Sequence, residues 1–187
     1  PESIDVLLIS AATDTVDTST INNIRKYLGS GKKVFLAQSG VNADIKTQQA
    51  NPLFSNIFDL LKDFRLDLQK NLVLDAKCGN VQVQEQRGIF LMNRPVQYPL
   101  FPTIDTFNGS DSLSGIVVND LEQVLLLFPS EIKIDSIQNK NVNSISTLFT
   151  SSNNSGIMES NLVLSPDPQQ NPFIRMLGQP AKLLAAT

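Results

Sequence analysis

The pattern that most constrains the fold lies in the first 38 residues. The segment Ile4–Ile9 is short and almost continuously apolar, which is typical of a strand covered on both faces. Ile21, Ile24 and Leu28 then recur at helical spacing, so that one side of a helix is apolar. Lys33–Gln38 has the pattern of a second buried strand. A strand, a crossover helix and a second strand of this length predict parallel pairing with a right-handed connection.

The rest of the chain predicts one more helix and then mainly strands. Asn51 and Pro52 have the pattern of a helix cap followed by proline in the first turn, and apolar residues continue at helical spacing to Phe64. Leu72–Leu74 predicts a third buried strand. Later segments predict a hairpin at 81–84 and 88–92, a loop containing Pro95, Pro99 and Pro102, strands at 124–128, 132–134 and 144–150, and loops at 151–156 and 165–180.

These elements predict one α/β domain over residues 1–187. Residues 1–80 form a parallel α/β half, and residues 81–187 form a more β-rich half with a loop-rich tail. The chain enters a strand almost at once, and residues 183–187 predict another strand. Both ends therefore look cut, and we expect a domain excised from a longer chain.

The composition excludes several chemistries. The chain has no histidine, which removes Ser–His–Asp and Cys–His hydrolysis and the commonest metal ligand. Its single cysteine, Cys78, can form no internal disulfide and cannot build a zinc site. The 15 basic residues are scattered and the net charge is −3, so neither nucleic acid nor direct electrostatic binding to anionic lipid is expected. No apolar run is long enough for a membrane span.

Polar residues follow each of the first two predicted strands. Asp14 and Asp17 come after the first, and Ser39 and Asn42 come after the second. Because the carboxyl ends of neighbouring parallel strands meet at one edge of a sheet, these four residues are the candidates for a ligand site. A metal-binding Asp-x-Ser-x-Ser motif starting at Asp17 fails at Ile21, and capping of the helix is the favoured interpretation. We expect no metal and no cofactor.

Other polar groups carry weaker signals. Gly29–Lys32 is glycine-rich, but it leaves a helix and enters a strand, so it predicts helix termination rather than a phosphate loop. Cys78 lies near a strand end without a histidine to activate it, which favours a structural thiol. Tyr98–Pro102 is either an exposed recognition patch or a buried plug, and the plug is favoured. Paired carboxylates for hydrolysis could come from a scattered set, although no spacing favours this role: Asp75, Asp105, Asp111, Asp120 and Glu122.

Several short sequence segments, in their order along the chain, resemble those of a known family. They are Asp5–Ile9, Ile24–Leu28, Gly31–Val34, Asn51–Phe54, Asn71–Asp75 and Tyr98–Leu100. Together they resemble the soluble domain of the gliding-motility protein GldG and related auxiliary components of uncharacterised ABC transporters. These segments have structural rather than catalytic character. The Asn- and Gln-rich tail departs from the sequence pattern of the family.

The resemblance implies a fold class and a setting. The fold it implies is a flavodoxin-like, class I glutamine amidotransferase-like three-layer sandwich with a mainly parallel sheet and an antiparallel β extension in the second half. It implies a periplasmic domain of a membrane-anchored chain at the bacterial inner membrane, anchored by segments outside this chain. The implied partners are permease and ATPase subunits of the transporter or other envelope proteins. No catalytic residues carry over, so a non-enzymatic role is expected.

Three functional hypotheses follow. The first is a non-catalytic binding domain of a transport complex. The second is a small-ligand-binding or enzymatic flavodoxin-like domain, with its site at the carboxyl ends of the strands. The third is a cytosolic regulatory domain. Membrane spans in the full-length protein would separate the first from the third, and a pocket beside Asp14, Ser39 and Asn42 would favour the second.

Overall fold

A computed structural model describes residues 3–10, 12–87, 90–108, 112–135, 142 and 144–187. In chain order its elements are β1 Val6–Ser10, α1 Thr18–Gly29, β2 Lys33–Ala37, β3 Val41–Asp44, β4 Gln49–Pro52, α2 Ile57–Asp63, β5 Leu66–Leu68, β6 Leu72–Asp75, β7 Cys78–Arg87, β8 Phe90–Ile104, α3 Ser112–Val118, β9 Val124–Leu125, β10 Ile132–Ile134, β11 Thr147–Thr150, β12 Ser155–Met158, a 3-10 helix Phe173–Met176, and β13 Leu183–Ala186.

The strand–helix–strand unit at the start of the chain is confirmed. β1 and β2 pair in parallel, with Leu8 opposite Phe35 at the centre of the register. The prediction that both faces of these strands are covered is wrong. Inward side chains such as Leu7 and Val34 pack on the helices, while alternate side chains on the other face are exposed. A continuous apolar run does not tell whether a second layer covers the sheet, because covering depends on distant parts of the chain.

The flavodoxin-like, mainly parallel fold class is also wrong. Among the described residues β1–β2 is the parallel pair, and the remaining pairs are all antiparallel: β3–β4, β5–β10, β6–β12, β7–β8, β8–β9 and β11–β13. The sheets are small, with two or three strands each, and the protein is mostly β. A parallel neighbour needs a long crossover connection, whereas only a few residues of sequence separate β3 from β4 and β7 from β8, which is compatible with antiparallel pairing alone.

Two proline-containing segments differ from their predicted structure. Pro52 does not start a helix; it ends β4, and α2 begins only at Ile57. Pro95, Pro99 and Pro102 do not form a loop, because they lie within the 15-residue strand β8.

Proline has no backbone N–H, so it is tolerated in β8 at positions where that N–H would have no partner strand to donate to. In the described part of the chain β9 pairs with β8 only at Thr103 and Ile104, and Pro102 contributes its carbonyl, which accepts from the Leu126 N–H at 3.0 Å.

The other elements were predicted with mixed success. The hairpin is confirmed as β7–β8, except that residues 88 and 89 lie outside the described residues. The segment 151–156 was predicted to be a loop, yet its last two residues begin β12, which pairs with β6. Strands β3 and β5 and helix α3 were not predicted, because each is short and gains its order from its neighbours.

Two apolar clusters form the core. The helix-side cluster lies under α1 and α2 and consists of Ile21, Ile24, Leu53, Ile57, Phe58, Leu60 and Leu68. The β-side cluster is built on β6 and β8 and consists of Val41, Ala50, Leu72, Leu74, Tyr98, Leu100, Phe128, Met158, Leu162, Leu164 and Phe173. Tyr98 is 3% exposed and packs edge-on against Phe101, Phe128 and Phe173, so the predicted burial of this segment is confirmed, although it lies in strand β8 and not in a loop.

Within the described residues we find no helix with the length and apolar character that crossing a membrane requires.

Candidate functional site

The carboxyl-terminal edge of β1 and β2 is the place where the sequence predicts a ligand site. The loop that follows β1 is tied down there by side chains from other elements. The Ala12 N–H donates to Gln38 Oε1 at 2.7 Å. Asn56 accepts from the Val16 N–H at 2.8 Å and donates to the Val16 carbonyl at 2.6 Å. These bonds fasten the loop to β2 and to the start of α2, so the amide groups that face this edge are already engaged.

Asp14 and Asp17 have local structural partners. Asp17 is the N-cap of α1, and its carboxylate accepts from the Ser19 N–H at 2.9 Å and from the Ser19 hydroxyl. The hydroxyl and then the backbone bond of Ser19 lower the pKa of Asp17. Asp14 accepts from the Thr15 N–H at 2.6 Å, and its carbonyl accepts from the Ser55 hydroxyl. Capping, rather than metal binding, is what the geometry of Asp17 provides.

Ser39 is part of a different network. Its hydroxyl donates to the Phe128 carbonyl at 2.8 Å and lies 3.0 Å from Ser130 Oγ. Ser130 in turn donates to the Asn71 carbonyl at 2.6 Å and accepts from the Gly40 N–H at 2.9 Å. Because its proton is engaged with a backbone carbonyl, Ser39 holds strand ends together rather than facing a ligand.

Asn42 lies on β3, exposed and opposite Asn51 in the β3–β4 hairpin. The four candidate residues thus have four separate surroundings. No hydrogen bond in the described part of the chain joins any two of them, and that part contains no group of three or more Cys, Asp and Glu side chains arranged to hold a metal ion.

The remaining chemically competent groups are also in structural positions. Cys78 is half-buried, and burial raises the pKa of its thiol, which is the opposite of activation. Asp105 pairs with Lys77, and the hydrogen bond from Lys77 lowers the pKa of Asp105. Asp120 and Glu122 are exposed, and Asp111 lies outside the described residues.

A shallow cavity of about 280 Å³ lies between β4 and residues 159–163. This volume is at the small end for small-molecule sites, which also require a few convergent buried polar groups. Its polar side chains, including Gln49, Asn51 and Glu159, are exposed. The cavity therefore lacks the features of a built ligand site.

An apolar surface that sequence reasoning missed lies on the uncovered side of β1 and β2. We call it the outer face and define it by Ile4, Val6, Leu8 and Phe35, whose exposed fractions are 45%, 56%, 64% and 54%. Leu8 and Phe35 are direct neighbours across the two strands. Contiguous exposed apolar side chains of this kind mark interaction surfaces. The only signal in the sequence was the apolar run itself, which gives no information about which face is covered.

Comparison with known proteins decides the family. The sequence profile of the family described as "ABC-type uncharacterized transport system" matches residues 1–187. The chain belongs to this ABC-type transport family. The family comprises auxiliary components of ABC-type transport systems, and this is the coarse role that it gives to the chain.

The other comparisons add little to the family assignment. No curated protein matches the chain. A solved structure, the mmIFT52 N-terminal domain, is similar with a TM-score of 0.47 and 10% sequence identity. The similarity covers 80% of this chain and 53% of that one, so the chain spans about half the length of this neighbour.

Proposed function

We propose that this chain is a non-catalytic, extracytoplasmic, GldG-like auxiliary domain of an ABC-type transport system, and that it binds a partner protein through its outer face. The observation that carries the proposal is the exposed apolar outer face, Ile4, Val6, Leu8 and Phe35, in a chain of this transport family. The face is formed by regular strands and is backed by the helix-side cluster, so it is presented on a rigid support.

A binding role fits the chemistry of the described residues better than catalysis does. The chain has no histidine, and the pKa of its only thiol is raised. The hydroxyl of Ser39 and the carboxylate of Asp17 serve as structural hydrogen-bonding groups. A reaction would need a nucleophile or a general base with a free path to substrate. The outer face supplies apolar area instead, which is the main source of affinity in protein association.

For the partner we propose the permease of the transport system, on the extracytoplasmic side of the bacterial inner membrane. Anchoring would come from segments outside this chain. A permease presents extracytoplasmic loops to such a domain, whereas an ATPase subunit lies on the opposite side and would be reached only through the permease. The proposal therefore predicts direct contact with the permease.

Site-specific photo-crosslinking in cells tests this contact. A photoreactive residue at Leu8 or Phe35 in the full-length protein should crosslink to the permease, because both side chains lie at the centre of the outer face. The matched control is the same residue at Ile174, which is 85% exposed but lies on the 3-10 helix. Equal crosslinking from Ile174, or none from Leu8 and Phe35 in cells that express the permease, would contradict the proposal.

The location needs a separate measurement. The full-length protein is truncated after residue 187 of this chain, and alkaline phosphatase is fused at that point. The fusion should be active, since the enzyme matures only outside the cytoplasm. If the phosphatase fusion were inactive, and a reporter that works only in the cytoplasm were active when fused at the same position, the domain would lie in the cytosol. That result would overturn the extracytoplasmic location and leave the family assignment intact.

A further inference from the structure

Strand β7 has an open edge along the β7–β8 hairpin. On one side it pairs with β8, in continuous register from Asn80 opposite Gln97 to Arg87 opposite Phe90. On its other side no strand of the described part of the chain pairs with it, and in that part the backbone groups of residues 79–84 bond to no segment other than β8. Such an edge is a template for pairing with a further strand.

A proline in β8 shows which backbone groups of β7 point outward. Gln82 is opposite Pro95, and proline has no N–H to donate, so this pair is of the non-hydrogen-bonded kind. The two kinds of pair alternate along an antiparallel ladder, and a residue of a non-hydrogen-bonded pair directs its N–H and C=O away from the paired strand. The outward groups of β7 therefore belong to Asn80, Gln82 and Gln84.

The two edges of the hairpin differ in their protection against a further strand. Pro95 interrupts the outer edge of β8, and proline on an edge is a common device against edge-to-edge pairing. Residues 79–84 of β7 contain neither proline nor a charged side chain. Two copies joined through β7 leave only the β8 edges on the outside. An assembly of this kind is closed by its symmetry and stops at two copies.

A two-fold axis makes the β7 edge complementary to itself. If the axis is perpendicular to the sheet and level with Val83, the two β7 strands run antiparallel, and Gln82 of each copy lies opposite Gln84 of the other. Their outward backbone groups then meet as a hydrogen-bonded pair. Both side chains are exposed amides, which donate as well as accept, and no like charges lie directly opposite each other. An axis level with Glu85 would instead bring two carboxylates together.

The other face of β7 contributes an apolar stripe. Val81 packs against the β-side cluster at the base of the hairpin, and Val83 is half-buried. In the two-fold pair Val83 lies opposite its own copy, so the valines of both copies form one stripe across a sheet in the order β8–β7–β7–β8. Glu85 on this face is paired within its own hairpin, with 3.4 Å between Arg94 Nε and Glu85 Oε2. The contact therefore carries no unbalanced charge.

We propose that two copies of this chain associate through their β7 edges, antiparallel about Val83, to form one four-stranded sheet. The contact is a single pair of strands about 25 Å long. It buries less than the ~1,200 Å² at which stable complexes begin, so the dimer is reversible and dissociates at micromolar concentration. The outer face takes no part, and each copy keeps that surface for another protein.

Sedimentation equilibrium of the chain, from micromolar to several hundred micromolar concentration, tests the association. The wild type should form a reversible dimer. The double variant Gln82→Lys, Gln84→Lys should dimerise about tenfold more weakly or worse, because lysine then faces lysine across the axis at two places. The double variant Gln82→Lys, Gln84→Glu should dimerise at least as tightly as the wild type, because each lysine then faces a glutamate.

The matched control places the same added charge on β8. Asn93 and Gln97 are exposed, and they lie opposite Gln84 and Asn80. The double variant Asn93→Lys, Gln97→Lys should dimerise like the wild type, because β8 lies outside the contact. All three double variants should keep the urea midpoint of the wild type, since the substituted side chains are exposed.

Disulfide trapping tests the register independently of charge. In a Cys78→Ser background, Val83→Cys should give a disulfide-linked dimer on oxidation, because a non-hydrogen-bonded pair brings the two Cα atoms into disulfide range. Asn93→Cys in the same background should stay monomeric under the same conditions.

Four results would overturn the proposal. The first is a wild-type chain that remains monomeric at several hundred micromolar, which would reserve the β7 edge for a strand of another protein. The second is equal weakening by the charges on β8. The third is a Lys–Glu variant as weak as the Lys–Lys variant, together with no trapping through Val83→Cys, because the register would then be wrong. The fourth is growth beyond the dimer, which would require pairing through β8.

Discussion

Asp75 is a buried carboxylate that is satisfied entirely by hydrogen bonds to donors of neighbouring segments. It is 0% exposed, and it accepts from the Lys77 N–H at 2.8 Å, the Ser152 hydroxyl at 2.6 Å and the Ser152 N–H. Charge-assisted bonds of this kind offset the cost of removing a carboxylate from water. Asp75 thereby fixes the turn that leads into β12, the partner of β6.

Asp75→Asn should destabilise the protein by about 3 kcal/mol. The amide presents an N–H₂ group to one of the donors and leaves it unsatisfied in a buried place. Urea unfolding at neutral pH gives the change in the free energy of unfolding. Asp120→Asn is the control, because Asp120 is exposed with φ +67°, a conformation that asparagine tolerates, and its effect should stay within about 0.5 kcal/mol. A small effect of Asp75→Asn would show that the turn is held by other contacts.

Asp17 gives the stability of the protein a defined dependence on pH. Hydrogen bonds from Ser19 lower its pKa in the folded state below the ordinary 3.8. A lowered folded-state pKa stabilises the fold above pH 3.8 and loses that contribution as the pH falls through the lowered value. Asp17→Ala should therefore reduce the urea midpoint slightly at pH 7, and the difference from wild type should shrink in acid.

Asp17→Ser separates capping from charge. Serine keeps an oxygen that accepts from the helix N-terminus, so most of the stability at pH 7 should return, without the acid-dependent part. Urea unfolding followed by circular dichroism would measure both effects on stability. The measurements would run from about pH 2 to about pH 7, roughly the range over which carboxylates titrate. An Asp17→Ala difference that is constant across this range would contradict the assignment of the lowered pKa.

At the scale of elements, the close approach of the β2–β3 connection to the β5–β6 turn depends on glycine. A Cβ on Gly40 would lie 1.9 Å from the carbonyl oxygen of Gln69 and 2.8 Å from its carbonyl carbon. Both are backbone atoms, so one segment would have to move. The Gly40 N–H is also bonded to Ser130, and its carbonyl accepts from the Leu53 N–H at 2.9 Å, so movement would break further bonds.

Gly40→Ala should consequently cost more than about 2 kcal/mol, and Gly29→Ala provides the matched control. Gly29 ends α1 without positive φ, and a methyl group added there would meet nothing within 4 Å, so alanine should be neutral or stabilising by up to about 1 kcal/mol. Thermal and urea unfolding of the two variants give the comparison. Equal stability of both variants would mean that the β5–β6 turn yields at little cost.

At the scale of the whole molecule, the Ser39–Ser130–Asn71 network connects the two core clusters. It joins the end of β2, which packs on the helix-side cluster, to the start of β6, which belongs to the β-side cluster. Ser130 is 4% exposed and takes part as both donor and acceptor. The two clusters are therefore expected to unfold as one cooperative unit.

Ser130→Ala should lower the free energy of unfolding by about 2 kcal/mol, because the buried Gly40 N–H loses its acceptor. Hydrogen exchange by mass spectrometry should then show faster exchange by up to about thirtyfold in both β2 and β6. Ser160→Ala, at an exposed position, should leave exchange unchanged. Faster exchange in only one of the two strands would show that the clusters open independently.

The amino-acid sequence by itself determined the features that depend on neighbouring residues. The helical spacing of Ile21, Ile24 and Leu28 specified α1, the apolar runs specified β1, β2 and β6, and Asp17 specified the cap. The absence of histidine limited the chemistry in the same direct way. Local geometry follows from side-chain periodicity and capping, which a short window of sequence contains.

The tertiary structure alone decided which strands pair and which surfaces remain exposed. It put Pro52 and the β8 prolines in strands, gave β6 an antiparallel partner in β12, far along the chain, and dispersed the predicted site residues among separate networks. It also left the outer face uncovered. Which strands pair, and which faces of a sheet are covered, depends on contacts between segments that are distant in sequence and compete for the same apolar surface. A local sequence pattern does not show which of these contacts form.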